Sequence, residues 1–139
     1  MVNKIPSSFK IFLIGSLVDI PLCESIKDKS MNKNVEVLAG KLSFLQSAAL
    51  IKNARMTFAN DSAPLHFASA MNSPVGAIFC STVPGFGFGP LSERSFIFET
   101  NEKLTCRPCG LHVKNECPEK HFKCSDIDID MILKKTGIL

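Results

Sequence analysis

The stretch that decides the fold runs Arg55-Met-Thr-Phe-Ala-Asn-Asp-Ser-Ala-Pro-Leu-His-Phe-Ala-Ser-Ala-Met-Asn-Ser-Pro-Val-Gly-Ala-Ile-Phe79. Arg55 to Ala59 has the aromatic and β-branched content of a short strand, and Pro74 to Phe79 reads as another. Between them, from about Pro64 to Met71, small residues and a proline at the start predict a helix. A strand, a helix and a strand in such short succession are the βαβ unit of a parallel sheet.

The same alternation extends in both directions. Toward the N-terminus, the run Phe9 to Ile14 is a buried strand that ends at Gly15, and Pro21 opens a helix through Lys27. Asn32 to Asn34 break that helix before a strand, Val35 to Leu38, ended by Gly40. Ser43 with Gln46 three residues on has the form of a capping box, and Phe44, Leu45, Ala48, Ala49 and Ile51 recur at helical spacing. Toward the C-terminus, Ser95 to Phe98 gives a fifth strand. The acidic run Ser125 to Asp130 suits the start of a last helix, at about 126–136, whose Lys134 and Lys135 suit its end. The expected fold class is therefore α/β, a parallel sheet with helices on both faces. In such sheets ligands bind at the carboxyl ends of strands, which directs attention to the loops after Ile14, Ala59 and Phe79.

Composition narrows the function. A length of 139 residues is about one domain, and 45% hydrophobic with 21% charged residues is an ordinary globular mixture. The net charge of +3 arises from scattered lysines, which speaks against a nucleic-acid stripe. Eleven Phe with neither Trp nor Tyr point to aromatic residues used as core. Lys4 and Lys10 before the apolar run Ile11 to Val18 admit a secretion-signal reading beside the buried strand, but Asp19 and Pro21 follow with no small-x-small cleavage site. No run reaches the length of a membrane span, so a soluble, cytoplasmic protein is expected.

The turn Asn60-Asp-Ser-Ala-Pro-Leu-His66 carries the strongest chemical signal. Pro64 is preorganised for the first helical turn, and N–H groups around Ser62, Ala63 and Leu65 would form a small positive pocket suited to phosphate. His66, one turn in, could reach the same anion. The plainer alternative makes Asp61 or Ser62 only a helix cap and His66 a core histidine.

Cys106, Cys109, Cys117 and Cys124 fall in one Cys-rich loop, 105–124, that also holds His112 and His121. Cys-x2-Cys is a common first half of a zinc site, whereas the second pair lacks that spacing. Three readings stay open: a structural zinc, reduced thiols in a packed loop, and disulfides. Cys23 and Cys80 stand alone in apolar surroundings and read as small core residues. Pro84-Gly-Phe-Gly-Phe-Gly-Pro90 is no phosphate fingerprint. It is either a mobile loop at the ligand site or a surface turn whose phenylalanines pack on the domain.

Taken together, Val37 to Ala54, Asn60 to Ala70, Ser73 to Phe79, Gly15 with Asp19, Ser81 to Pro84 with Gly89-Pro90, and Cys106-Arg-Pro-Cys109 resemble the nucleotide-sugar-binding half of bacterial glycosyltransferase family 9, the lipopolysaccharide heptosyltransferases. The resemblance implies the C-terminal, Rossmann-like half of a GT-B enzyme that transfers heptose from ADP-heptose with inversion and needs no cofactor. By position, Asp61 would contact the donor sugar hydroxyls, with Thr82 in the loop bordering that sugar. Ser62, Ala63, Leu65 and His66 would hold the pyrophosphate, and Asp19 the ribose. The family usually has Gly where Ala63 and Cys80 stand, and often Glu where this chain has Asp19.

The resemblance also implies absences. The acceptor domain that supplies the catalytic base is not matched, so no residue here is proposed as catalytic. The first βα unit of the donor domain is unmatched too, and in a 3-2-1-4-5-6 order its strand belongs between Phe9–Ile14 and Met56–Ala59. Those two strands either pair directly or leave open edges. The chain would then be a fragment, inactive alone, meeting its lipopolysaccharide core acceptor through a missing N-terminal domain, with at most peripheral contact at the inner face of the bacterial inner membrane. A non-catalytic nucleotide-binding or interaction module stabilised by its cysteines is the alternative from another class, and a small secreted disulfide protein is a third.

Overall fold

The computed structural model describes residues 1–112 and 116–139. In chain order the elements are β1 (Ile11–Leu13), α1 (Ile20–Asp28), β2 (Val35–Val37), α2 (Phe44–Lys52), β3 (Thr57–Asn60), α3 (Ala63–Ala70), β4 (Val75–Ile78), β5 (Ser95–Phe98) and α4 (Ile129–Thr136). Every pairing between strands is parallel, as the alternation requires. The fold class expected from the sequence is the one observed. The strands form two sheets, β1-β2 and β3-β4-β5, so of the two alternatives for β1 and β3 direct pairing is not the one observed. Each of those two strands carries a ladder on one side only. The first eight residues supply no further strand, since Val2–Lys4 is a single 3₁₀ turn. The apolar run that admitted a signal-peptide reading is split between β1 and a 3₁₀ turn, Leu17–Asp19.

The chain forms two compact units, Met1–Ser47 with Ile129–Leu139, and Ala48–Asp128. In the first, α1 connects β1 to β2, and Ile11, Phe12 and Leu13 lie opposite Val35, Glu36 and Val37. Cys23 on α1 packs with Val37, Ala39, Leu13 and Ile20, which makes it the small apolar core residue its surroundings suggested. The capping box at α2 is formed: Gln46 Oε1 accepts the Ser43 N–H at 2.8 Å, and Ser43 Oγ accepts the Gln46 N–H at 3.3 Å. α4 begins at Ile129, later than about 126, because Lys123–Ser125 closes a separate 3₁₀ turn and Asp126 leaves it at ψ 87°, outside the helical region. Ile132, Leu133 and Thr136 are its buried face. Gly137, at φ +71°, ends it, with the Ile138 N–H returning to the Leu133 carbonyl at 3.0 Å.

In the second unit β4 is the central strand. Phe58 and Phe96 flank Gly76 in register. Val75, Ala77, Phe79, Phe98, Leu65 and Ala68 are almost wholly buried and make the core. Gly76 is required by close approach: a Cβ there would stand 2.9 Å from Phe58 Cδ1 and 3.2 Å from Phe98 Cε2. Two buried hydroxyls are satisfied by backbone carbonyls, Ser73 Oγ by Ile51 at 2.7 Å and Ser92 Oγ by Ala68 at 3.1 Å. Among the described residues no helix is long and apolar enough to cross a membrane.

Candidate functional site

β3 delivers Asn60 to the carboxyl end of the three-stranded sheet, and α3 starts three residues later. Ser62 occupies the N-cap position in extended conformation, φ −159° and ψ 173°, yet its side chain makes no capping bond. Its hydroxyl instead donates to the Asn60 carbonyl at 3.3 Å. The usual capping oxygen is thus withheld from the helix end.

Pro64 has no N–H to offer. The Leu65 N–H donates to the Ser62 carbonyl at 3.0 Å, and the Leu65 side chain is fully buried, so Leu65 serves the core and the turn rather than the pocket expected of it. The N–H groups of Ser62 and Ala63 find no acceptor among the described residues. Ser62, Ala63 and His66 are all exposed. His66 is therefore not the core histidine of the plainer reading. Its ring meets Phe88 edge-on, with centroids 6.3 Å apart and planes at 72°. That contact brings the glycine-rich loop to the first turn of α3, where Gly87 turns the chain at φ +93°.

Asp61 is not a cap either. Its Oδ2 accepts the hydroxyl of Thr82 at 2.8 Å, and Thr82 is buried to 1% exposure. The pairing joins the loop after β3 to the loop after β4, the two positions assigned to the donor sugar. A carboxylate with one oxygen fixed in this way keeps the other for an outside donor.

One residue at this site escaped sequence reasoning. Arg107 Nε donates to the Cys80 carbonyl at 2.6 Å, and Nη2 donates to the carbonyls of Thr82 at 2.8 Å and Phe79 at 3.3 Å and to Glu99 Oε1. Its side chain is 13% exposed. The signal was present as a lone arginine inside Cys-x2-Cys, but the flanking cysteines drew the reading toward metal.

The four clustered cysteines are all free thiols, as are Cys23 and Cys80. Cys109 Sγ donates to the Cys106 carbonyl at 3.2 Å, and Cys106 Sγ lies 3.8 Å from His121 Nε2. Among the described residues no three His, Cys, Asp or Glu side chains gather so as to hold a metal ion. The environments of the thiols differ. Backbone N–H groups, that of Phe122 foremost, hold the Cys117 thiol below its ordinary pKa, whereas burial, reinforced by Cys109, Cys117 and Cys106, pushes Cys124 up. Burial likewise raises Cys80, with Cys124 adding to the shift and Arg107 opposing it. A cleft of about 420 Å³ lies against Cys106, Glu119 and His121, and neither Asp61 nor Thr82 lines it.

Asp19 belongs to the first unit. Its Oδ2 accepts both the hydroxyl and the N–H of Ser16, each at 2.7 Å, closing a capping box on the turn Leu17–Asp19. The Ser16 hydroxyl, then its N–H, hold the carboxyl below its ordinary pKa. Gly15 makes room for it, since a Cβ there would lie 2.8 Å from both Asp19 Cβ and Oδ2.

The family model described as glycosyltransferase family 9 (heptosyltransferase) matches residues 9–123. Lipooligosaccharide heptosyltransferase 2 of Haemophilus influenzae is 31% identical over 142 aligned positions, covering 97% of this chain and 39% of that protein. Lipopolysaccharide heptosyltransferase 3 of Escherichia coli is 36% identical over 64 positions, covering 46% of this chain and 19% of its own length. Among solved structures, a family 9 glycosyl transferase from Veillonella parvula superposes with a TM-score of 0.66 at 19% identity, over 94% of this chain and 36% of that one. The E. coli ADP-heptose lps heptosyltransferase II gives 0.64 at 21% identity, over 93% and 38%. The chain thus spans less than two fifths of the relatives and structures that match nearly all of it.

Proposed function

The chain belongs to glycosyltransferase family 9, and on that premise we propose that its second unit binds the nucleotide-sugar donor of a heptosyl transfer to lipopolysaccharide core, with ADP-heptose as the donor. The observation that carries this reading is Asp61 at the carboxyl end of β3, one oxygen held by the buried Thr82 hydroxyl, immediately before an uncapped and exposed first turn of α3. A sugar hydroxyl donating to the remaining oxygen makes a charge-assisted hydrogen bond, and a donor phosphate fits the N–H groups of Ser62 and Ala63 with His66 beside them. The similar E. coli structure is that of an ADP-heptose lps heptosyltransferase, and the H. influenzae relative is a lipooligosaccharide heptosyltransferase.

In the first unit, the Ser16 bonds of Asp19 engage Oδ2 and leave Oδ1 as an acceptor. No residue of the chain is assigned the role of base, and the acceptor and its deprotonation are left to the remainder of such an enzyme.

Isothermal titration of the purified chain with ADP-heptose and with ADP tests the reading. Wild type is expected to bind both, and Asp61→Ala to lose affinity for ADP-heptose while retaining ADP. Wild type that binds neither, or an Asp61→Ala chain that binds ADP-heptose as wild type does, refutes it.

A further inference from the structure

We propose that Arg107 is the positioning residue for the sugar-contacting pair Asp61 and Thr82, acting by gripping the backbone of the loop that leaves β4. The proposal rests on the donor-site reading above and identifies what holds that site in shape.

Loops beyond a strand end ordinarily leave several carbonyls to water. Here four in succession are held by one short segment. Arg107 takes those of Phe79, Cys80 and Thr82, and the Cys109 N–H takes that of Ser81 at 2.9 Å. Glu99, just past β5, pairs with Nη2 of the same guanidinium. The ends of β4 and β5 and the cysteine loop therefore meet on one side chain. A guanidinium suits this task because its donors lie in a rigid plane and can serve several acceptors at fixed angles, which an ammonium cannot.

The grip matters because of what the loop carries. Thr82 has a clamped carbonyl at one end and, at the other, a hydroxyl bonded to Asp61 Oδ2. Moving the Thr82 backbone moves that hydroxyl, and the Asp61 carboxylate turns or loses its partner. The N–H groups of the α3 turn are not among the atoms Arg107 touches. Loss of Arg107 should therefore damage recognition of the sugar and spare recognition of the phosphates. On this view Cys106-Arg-Pro-Cys109 serves the donor site through its arginine.

The test is calorimetric binding of ADP-heptose and of ADP to wild type, Arg107→Gln, Thr82→Val and the double variant. Arg107→Gln is expected to weaken ADP-heptose about tenfold or more, the scale of leaving buried acceptors unpaired, and to change ADP by less than about threefold. Thr82→Val, which keeps the shape and removes the hydroxyl, should give the same selective loss. The double variant should be little worse than the poorer single one, because both break one linkage. Should Arg107→Gln not fold, Arg107→Lys carries the comparison, with the charge opposite Glu99 kept and the planar fork removed. Equal losses for ADP and ADP-heptose, losses that multiply in the double variant, or a lower melting temperature with unchanged binding would each overturn the proposal. Wild type that binds neither ligand would instead bring down the donor-site reading, and the assignment of Arg107 with it.

Discussion

Alanine at Gly76 should destabilise the second unit by about 1–3 kcal/mol, the usual cost of forcing extra volume into a packed core. The new methyl would lie 2.9 and 3.1 Å from two atoms of the Phe58 ring and 3.2 Å from Phe98 Cε2. The first distance is shorter than real Cβ contacts allow, so a ring must turn or β4 must shift. Neither movement is easy. Phe98 is 2% exposed and stacks nearly parallel to Phe96, at 11° with centroids 6.4 Å apart. Gly85 is the matched control, because a Cβ there meets nothing within 4 Å and its backbone lies outside the left-handed region. Gly85→Ala should therefore be neutral or stabilising by up to about 1 kcal/mol through the unfolded chain. Urea unfolding followed by circular dichroism measures both. A Gly76→Ala chain with the midpoint and slope of wild type would show slack around β4 and refute the packing described here. Because β4 leads directly into the loop that carries Thr82, a shifted strand should also weaken ADP-heptose more than ADP.

Two further outcomes follow from the electrostatics. Asp19 has its folded-state pKa lowered, so the stability it contributes is present above the unfolded value and is lost as pH falls through the folded one, below about pH 4. Gly15→Ala, by displacing the carboxylate from Ser16, should return its titration, followed by carbon-13 NMR of the carboxyl, toward the ordinary value; an unmoved titration would sink the explanation. Among the six thiols Cys117 should alkylate first with iodoacetamide at pH 7, since its thiolate is favoured, while Cys80 and Cys124 react late. Peptide mass spectrometry reads the order, and Cys124 reacting ahead of Cys117 would contradict the environments described.

What the sequence disclosed follows from the range of the forces involved. Strands and helices are set by periodicity, capping and breakers within a few residues, which is why Ser43 with Gln46 announced α2 and Gly40 ended the strand before it. The division of the sheet was not legible in the same way, because pairing joins residues far apart and no local pattern states that β1 and β3 are unpaired. At the proposed site, the strand-to-helix turn that carries Asp61, Ser62 and His66 was legible because its signals are local. The fate of the Leu65 N–H was not, since the choice between serving a ligand and closing on the Ser62 carbonyl depends on where the buried side chain draws the backbone. The zinc reading shows the converse, for spacing along the chain says which thiols could meet and leaves open whether they do.

Arg107 explains why such a residue hides. Its partners are three backbone carbonyls, those of Phe79, Cys80 and Thr82, and Glu99, and carbonyls carry no sequence signature, so nothing in that loop advertises that it needs a cation. An arginine between two cysteines is easily read as a spacer when thiols are the chemistry being sought. The geometry inverts that emphasis. A run of carbonyls leaving a parallel sheet concentrates negative partial charge at that end, where the proposed donor site lies. A guanidinium placed behind the loop satisfies those carbonyls, is itself neutralised by Glu99, and leaves the front of the loop to Thr82 and Asp61. On the proposed reading, the rigidity of the site comes from Arg107, which does not compete with a ligand for space.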